Sequence, residues 1–208
     1  MLMLASSKQS LDTRFHLVRH GAHSELGRVL SGRAGTVPLN KEGRLQAKAV
    51  STWAEMNGID AIHSSPRTRT VETASIIAKP LGQKVEIADA LDEVDFGSWN
   101  GMAFAELDGD PMWHAWNSER ANSVTPGGES MAEAVGRSVR YLQSVAQKQP
   151  GAAVLCVTHC DIIRGIIAHY LGLSFDNLLK FNVDPGSVST LMLGPDGGCL
   201  TRLNEVPA

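Results

Sequence analysis

Three short stretches of this chain bring together residues suited to gripping an anion. Arg19-His20-Gly21 follows the apolar run FHLV (15–18), Ser64-Ser65-Pro66 with Arg67 and Arg69 closes the run IDAIHSS (59–65), and Thr158-His159-Cys160 ends AAVLCVTH (152–159). Each has a plain structural reading: a surface turn at a strand end, a helix N-cap, and a histidine satisfied by backbone. Their joint occurrence past three apolar runs points further. In a mainly parallel sheet such strand ends share one edge, where ligands bind. Two histidines and two arginines meeting there would form an anion pocket, because the guanidinium fork matches phosphate oxygens in pairs.

The flanking sequence supplies elements that would position these groups. Residues 41–57 place Leu45, Ala49, Val50 and Trp53 at helical spacing, and Gly58 closes that helix. Pro66 suits the first turn of a second helix through TRTVETASIIA. A short strand is expected at 84–88, an irregular Gly- and Asp-rich segment at 91–101, and an amphipathic helix over ESMAEAVGRSVRYLQSVAQ. DIIRGIIAHYLG reads as a helix with Asp161 in its first turn, and 187–193 with 199–203 as a hairpin around PDGG. The expected fold class is α/β, a three-layer α/β/α arrangement with a mainly parallel central sheet. Residues 1–13 read as a loose N-terminal tail and 14–208 as a single domain. A small lid excursion at about 100–128 lacks clear periodicity in its 109–128 portion. Trp113 and Trp116 in it either line a substrate mouth or pack the lid onto the body.

The ordered blocks resemble the histidine phosphatase superfamily, in its phosphoglycerate-mutase-like branch. LVRHGAHSELGRVLSGRAGTVPLNKEGRLQA is similar to the family's N-terminal signature, SSPRTRTVETA to its second block and LDEVDFGSWNGM to its third; PGGES and VLCVTHCDIIRGII match the remaining two. The likeness runs from about residue 14 to 173. It implies His20 as nucleophile, Arg19 and Arg69 as phosphate clamps, Glu93 as proton donor and His159 as the second histidine, with Gly21 and Cys160 also at the substrate. Thr73-Ala74 sets the register that selects Arg69 over Arg67. Chemistry fits those roles. A nucleophilic imidazole must be neutral, nearby guanidiniums favour that form, and a backbone carbonyl such as that of Gly21 could fix its tautomer. Glycine at 21 would let the loop approach the phosphate closely. The chain departs from the family's pattern at Ala22-His23, Leu26 and Cys160, which blurs substrate identity. Cys160 has two readings: a thiolate at a helix start, or a thiol packed into the strand–helix junction.

The resemblance implies a metal-independent phosphomonoesterase acting on a small phosphate ester through a phosphohistidine on His20, without a cofactor. The alternatives are a cofactor-dependent phosphoglycerate-type mutase and an inactive phospho-ligand binding module. The short span 99–126 argues against the first, and the intact His20, Arg19, Arg69 and Glu93 against the second. Composition agrees with a globular protein: 208 residues, 43% hydrophobic, 20% charged, net charge −3. That balance gives no general field for nucleic acid or anionic lipid, and no run approaches the roughly 20 apolar residues of a membrane span. Cys156, Cys160 and Cys199 form no disulfide framework, and no Cys-x-x-Cys or His-x-x-x-His pair suggests a metal site. A cytoplasmic location and a small phosphorylated substrate are expected; a homodimer is left open.

Overall fold

A computed structural model describes residues 12–208. Six strands form one sheet in the order β3-β2-β4-β1-β5-β6. They are β1 (Thr13–Arg19), β2 (Ala61–Ser64), β3 (Val85–Ile87), β4 (Ala153–Thr158), β5 (Val188–Gly194) and β6 (Gly197–Glu205). The first four in that order run parallel, while β5 is antiparallel to β1 and β6 to β5. The α-helices among the described residues are α1 (Lys41–Asn57), α2 (Thr68–Leu81), α3 (Phe104–Leu107), α4 (Pro111–Ser118), α5 (Met131–Lys148) and α6 (Cys160–Leu171). Strand β1 begins at Thr13, the last residue of the expected tail; positions 1–11 of that tail lie outside the described residues.

The central strands are apolar on both faces, as a sheet covered on both sides requires, and their alternation sorts residues between two cores. Phe15, Leu17, Val154 and Cys156 join the core beneath α5, α6 and the lid. Val18, Leu155 and Val157 join that beneath α1 and α2. Helix α1 buries Gly43, Ala47, Val50 and Ala54, a spacing of four, three and four, together with Trp53. Leu45 falls outside this stripe and is 58% exposed, against the sequence expectation. The close side of α1 is made of small residues because its first turn rides directly on the loop after β1. A Cβ on Gly21 would run into the Gly43 backbone, and one on Gly43 into the Ala22 backbone. Gly21 is therefore demanded by helix packing, whatever it also does for a ligand. Gly43→Ala is expected to lower stability by about 1–3 kcal/mol, the usual cost of overpacking, read from the midpoint of urea unfolding.

Two other boundaries differ from the sequence reading. Helix α2 starts at Thr68 with Arg67 at its N-cap, so Pro66 precedes the helix instead of entering its first turn. The excursion is also more ordered than its lack of periodicity suggests. It carries α3 and α4, and α4 is started by the N-cap Asp110, whose carboxylate accepts from the Met112 N–H, followed by Pro111. With eight residues, α4 is too short to show a period. Aromatic contacts hold it down: Trp116 is fully buried 6.0 Å from Phe96, and Trp113 stands edge-on to Trp99 at 5.5 Å.

Candidate active site

Pairing register aligns the three strand ends. Arg19 lies beside Thr158 and Ser64 beside Val157, and the ladder continues past them, His20 N–H donating to Thr158 O and Ser65 N–H to Val157 O. His20, Ser65 and His159 thus leave adjacent strands at one level. His20 there meets a cavity of about 420 Å³ whose wall also includes Arg19, His23, Arg69, Glu93 and Cys160. The resemblance's site residues are brought together here with two exceptions: His159 is buried just behind the wall, reached through Arg69, and Gly21 contributes only its backbone.

His20 Nδ1 lies 2.9 Å from the carbonyl oxygen of Gly21. A carbonyl only accepts, so Nδ1 carries the proton and Nε2 the lone pair. That Nε2 meets Arg69 Nε at 3.3 Å. Burial, then the charges of Arg69 and Arg19, hold the His20 pKa well below its ordinary value, against the opposing pull of the Gly21 carbonyl. The imidazole is therefore neutral and basic only at Nε2. His159 is tied at both nitrogens: Arg69 Nη2 donates to its Nδ1 at 3.0 Å, and its Nε2 reaches Ser65 Oγ at 2.7 Å. Ser65 in turn donates to Asp92 at 3.3 Å. Burial first, and Arg69 next, keep His159 neutral as well.

Glu93 stands 3.9 Å from His159 Nδ1. Burial, then the negative charge of Asp161, push its carboxyl up to about 7, with Arg69 and the Val94 N–H opposing. With His159 uncharged, this contact is proximity and not an ion pair. The Glu93 backbone is clamped by Arg33 Nε and Arg137 Nη2, both donating to its carbonyl at 2.8 Å. Glu129 bridges the two arginines at 2.9 and 3.0 Å. This explains the PGGES block: Gly128 lets the chain pass close to the Asp95 carbonyl, and Glu129 ties the two arginines that hold the acid. Arg67 is turned onto Asp92 at 2.6 Å while Arg69 faces the cavity. Arg19 Nη1 donates to Val183 O at 2.6 Å, and its Nε is buried without a partner.

The sequence gives no role to Arg33, Asp92, Glu129 or Arg137, and His23 enters it only as a departure from the family's pattern. Charge alone could not mark them, since each reads as a solvated loop or helix residue. Cys160 lines the cavity with its thiol turned aside. Its thiol points at Val183 O, 3.7 Å away, and burial pushes it up to about 11, so a helix start does not make it a thiolate. Trp113 does both things proposed for it, packing the lid and lining the cavity, whereas Trp116 only packs. Among the described residues no group of three or more His, Cys, Asp or Glu side chains could hold a metal ion, and no helix is long and apolar enough to cross a membrane.

The chain is similar to several known proteins. A phosphoserine phosphatase of Hydrogenobacter thermophilus is 30% identical over 191 residues, covering 90% of each chain. A bifunctional protein of Mycobacterium tuberculosis is 35% identical over 195 residues, 92% of this chain but 53% of its own length. The chain thus spans about half the length of that relative. Among solved structures, a phosphoserine phosphatase mutant of Entamoeba histolytica in complex with phosphoserine superposes with a TM-score of 0.82 at 26% identity, covering 93% of this chain and 98% of its own. The family model for branch 1 matches residues 15–206. A neutral buried histidine under two arginines, beside a carboxyl raised towards neutrality, sits on a chain that belongs to the histidine phosphatase superfamily, branch 1.

Proposed function

We propose that this protein is a metal-independent phosphomonoesterase that works through a phosphohistidine on His20. The observation carrying this reading is the single lone pair of His20 Nε2, fixed by the Gly21 carbonyl and held only by a 3.3 Å contact with Arg69. In the first step Nε2 attacks phosphorus, the ester P–O bond breaks, and protonated Glu93 gives its proton to the departing oxygen. In the second, water attacks the phosphohistidine, Glu93 takes the water's proton, and inorganic phosphate leaves. Arg19 and Arg69 offset the charge spread over the equatorial oxygens, and His159, aligned by Ser65 and Asp92, holds Arg69 in place. Arginines thereby supply the positive charge that a metal would supply elsewhere.

The substrate is a small phosphate ester whose leaving group meets a wall of Leu26, Leu30, Phe96, Phe104 and Trp113 together with Asn117 and Arg120. Phosphoserine, bound by one structural relative, is the first ester to test. We place the protein in the cytoplasm, where its three free cysteines stay reduced, acting as monomer or homodimer. A panel of phosphate esters assayed for phosphate release with EDTA present tests the reading. Release unaffected by EDTA is expected. Silence across the panel, or activity abolished by EDTA and restored by a divalent cation, would count against it.

A further inference from the structure

His23 has no part in the scheme above, yet its placement is specific. A backbone bridge to Leu39 fixes the loop after β1 at this residue, and the side chain, 5% exposed, lines the cavity beside Arg19, His20 and Arg69. Its ring centroid is 5.3 Å from that of His20, nearly the 5.4 Å at which His159 stands. The nucleophile thus has two imidazole neighbours. His23 Nδ1 is buried with no hydrogen-bond partner, a condition that costs roughly 1–3 kcal/mol and that an apolar side chain of similar size would avoid. Two other N–H groups on this wall are orphaned, Arg120 Nε and the Nε of Arg19, the latter on a residue already placed at the phosphate. Burial, then Arg69, with Arg19 adding and Glu25 opposing, lower the His23 pKa to about 4. Its ring is therefore neutral at physiological pH, with one N–H to give and no fixed charge to repel the arginines.

Resting on the phosphatase reading, we propose that His23 is a further substrate-contacting residue, donating a ring N–H to a non-bridging oxygen of the phosphoryl group. Orthovanadate, which mimics the transferring group, is the probe, with p-nitrophenyl phosphate as substrate. His23→Ala should raise the vanadate inhibition constant and the KM roughly ten- to a hundredfold, as losing a hydrogen bond to a charged group does. One of His23→Asn and His23→Gln, whose amides reach towards the Nδ1 and Nε2 positions, should recover much of that loss. In the wild type, ¹⁵N imidazole resonances of His23, assigned through the backbone, should shift when vanadate binds; this reading needs no variant to fold. Unchanged vanadate inhibition in His23→Ala, equal loss in all three variants, or His23 resonances indifferent to vanadate would overturn the proposal. Should the wild type neither hydrolyse p-nitrophenyl phosphate nor bind vanadate, the phosphatase reading itself fails. Wild-type activity with a silent His23 defeats only this inference.

Discussion

Replacing His20 by alanine should reduce turnover by about four orders of magnitude or more, the scale seen when a covalent nucleophile is removed. It should also erase a phosphoryl label that rapid quenching traps on the wild type, acid-labile and alkali-stable as phosphohistidine is. The choice of His20 over His159 follows from hydrogen bonding. His159 spends both nitrogens, on Arg69 at 3.0 Å and Ser65 at 2.7 Å. His20 spends only Nδ1 on the backbone, and the 3.3 Å contact of its Nε2 with Arg69 is long enough for a phosphoryl group to displace. Low pH should not protonate the nucleophile early either, because burial and two guanidiniums keep it neutral well below the ordinary histidine range. Label mapped to His159 or Ser65, or turnover surviving in His20→Ala, would refute the assignment.

The part of this site legible in the sequence is the part built on strand ends. An apolar run fixes a buried strand, the residue after it must emerge at the sheet edge, and parallel register then brings His20 and His159 together. Helix α1 was legible from its length and its closing Gly58, but its buried face was not. Burial there is decided by the close approach of Gly43 to Ala22, so the small residues point inwards and Leu45 outwards. The lid hid its helix because eight residues carry no period, although the Asp110-Pro111 start was there to be read. Least legible was the support of the acid. Arg33 is distant in the chain from Glu129 and Arg137, all three are charged residues in ordinary surroundings, and only the fold turns the two arginines onto the Glu93 carbonyl with Glu129 bridging them.

Glu93→Gln should cut kcat/KM for an alkyl phosphate about 10²- to 10⁴-fold, the usual worth of a general acid, and kcat/KM for p-nitrophenyl phosphate far less, since nitrophenolate departs without a proton. The pH profile carries a second signature. A carboxyl pushed up to about 7 is protonated below that pH and competent as an acid there. Above it the proton is lost, so kcat/KM for the alkyl ester should fall on the alkaline side from about pH 7. The p-nitrophenyl ester should lack that limb, which separates Glu93 from ionisation of the phosphate itself. Asp161 offers a handle on the limb, since after burial its charge is the largest influence raising Glu93. It is paired with Arg120 at 2.9 Å, so Asp161→Asn both removes a negative charge and leaves a positive one unpaired. Both changes favour the Glu93 carboxylate, and the limb should move to lower pH for alkyl esters while the nitrophenyl profile stays in place. A limb that stays fixed in Asp161→Asn, or equal losses on both esters in Glu93→Gln, would remove Glu93 from the role of acid.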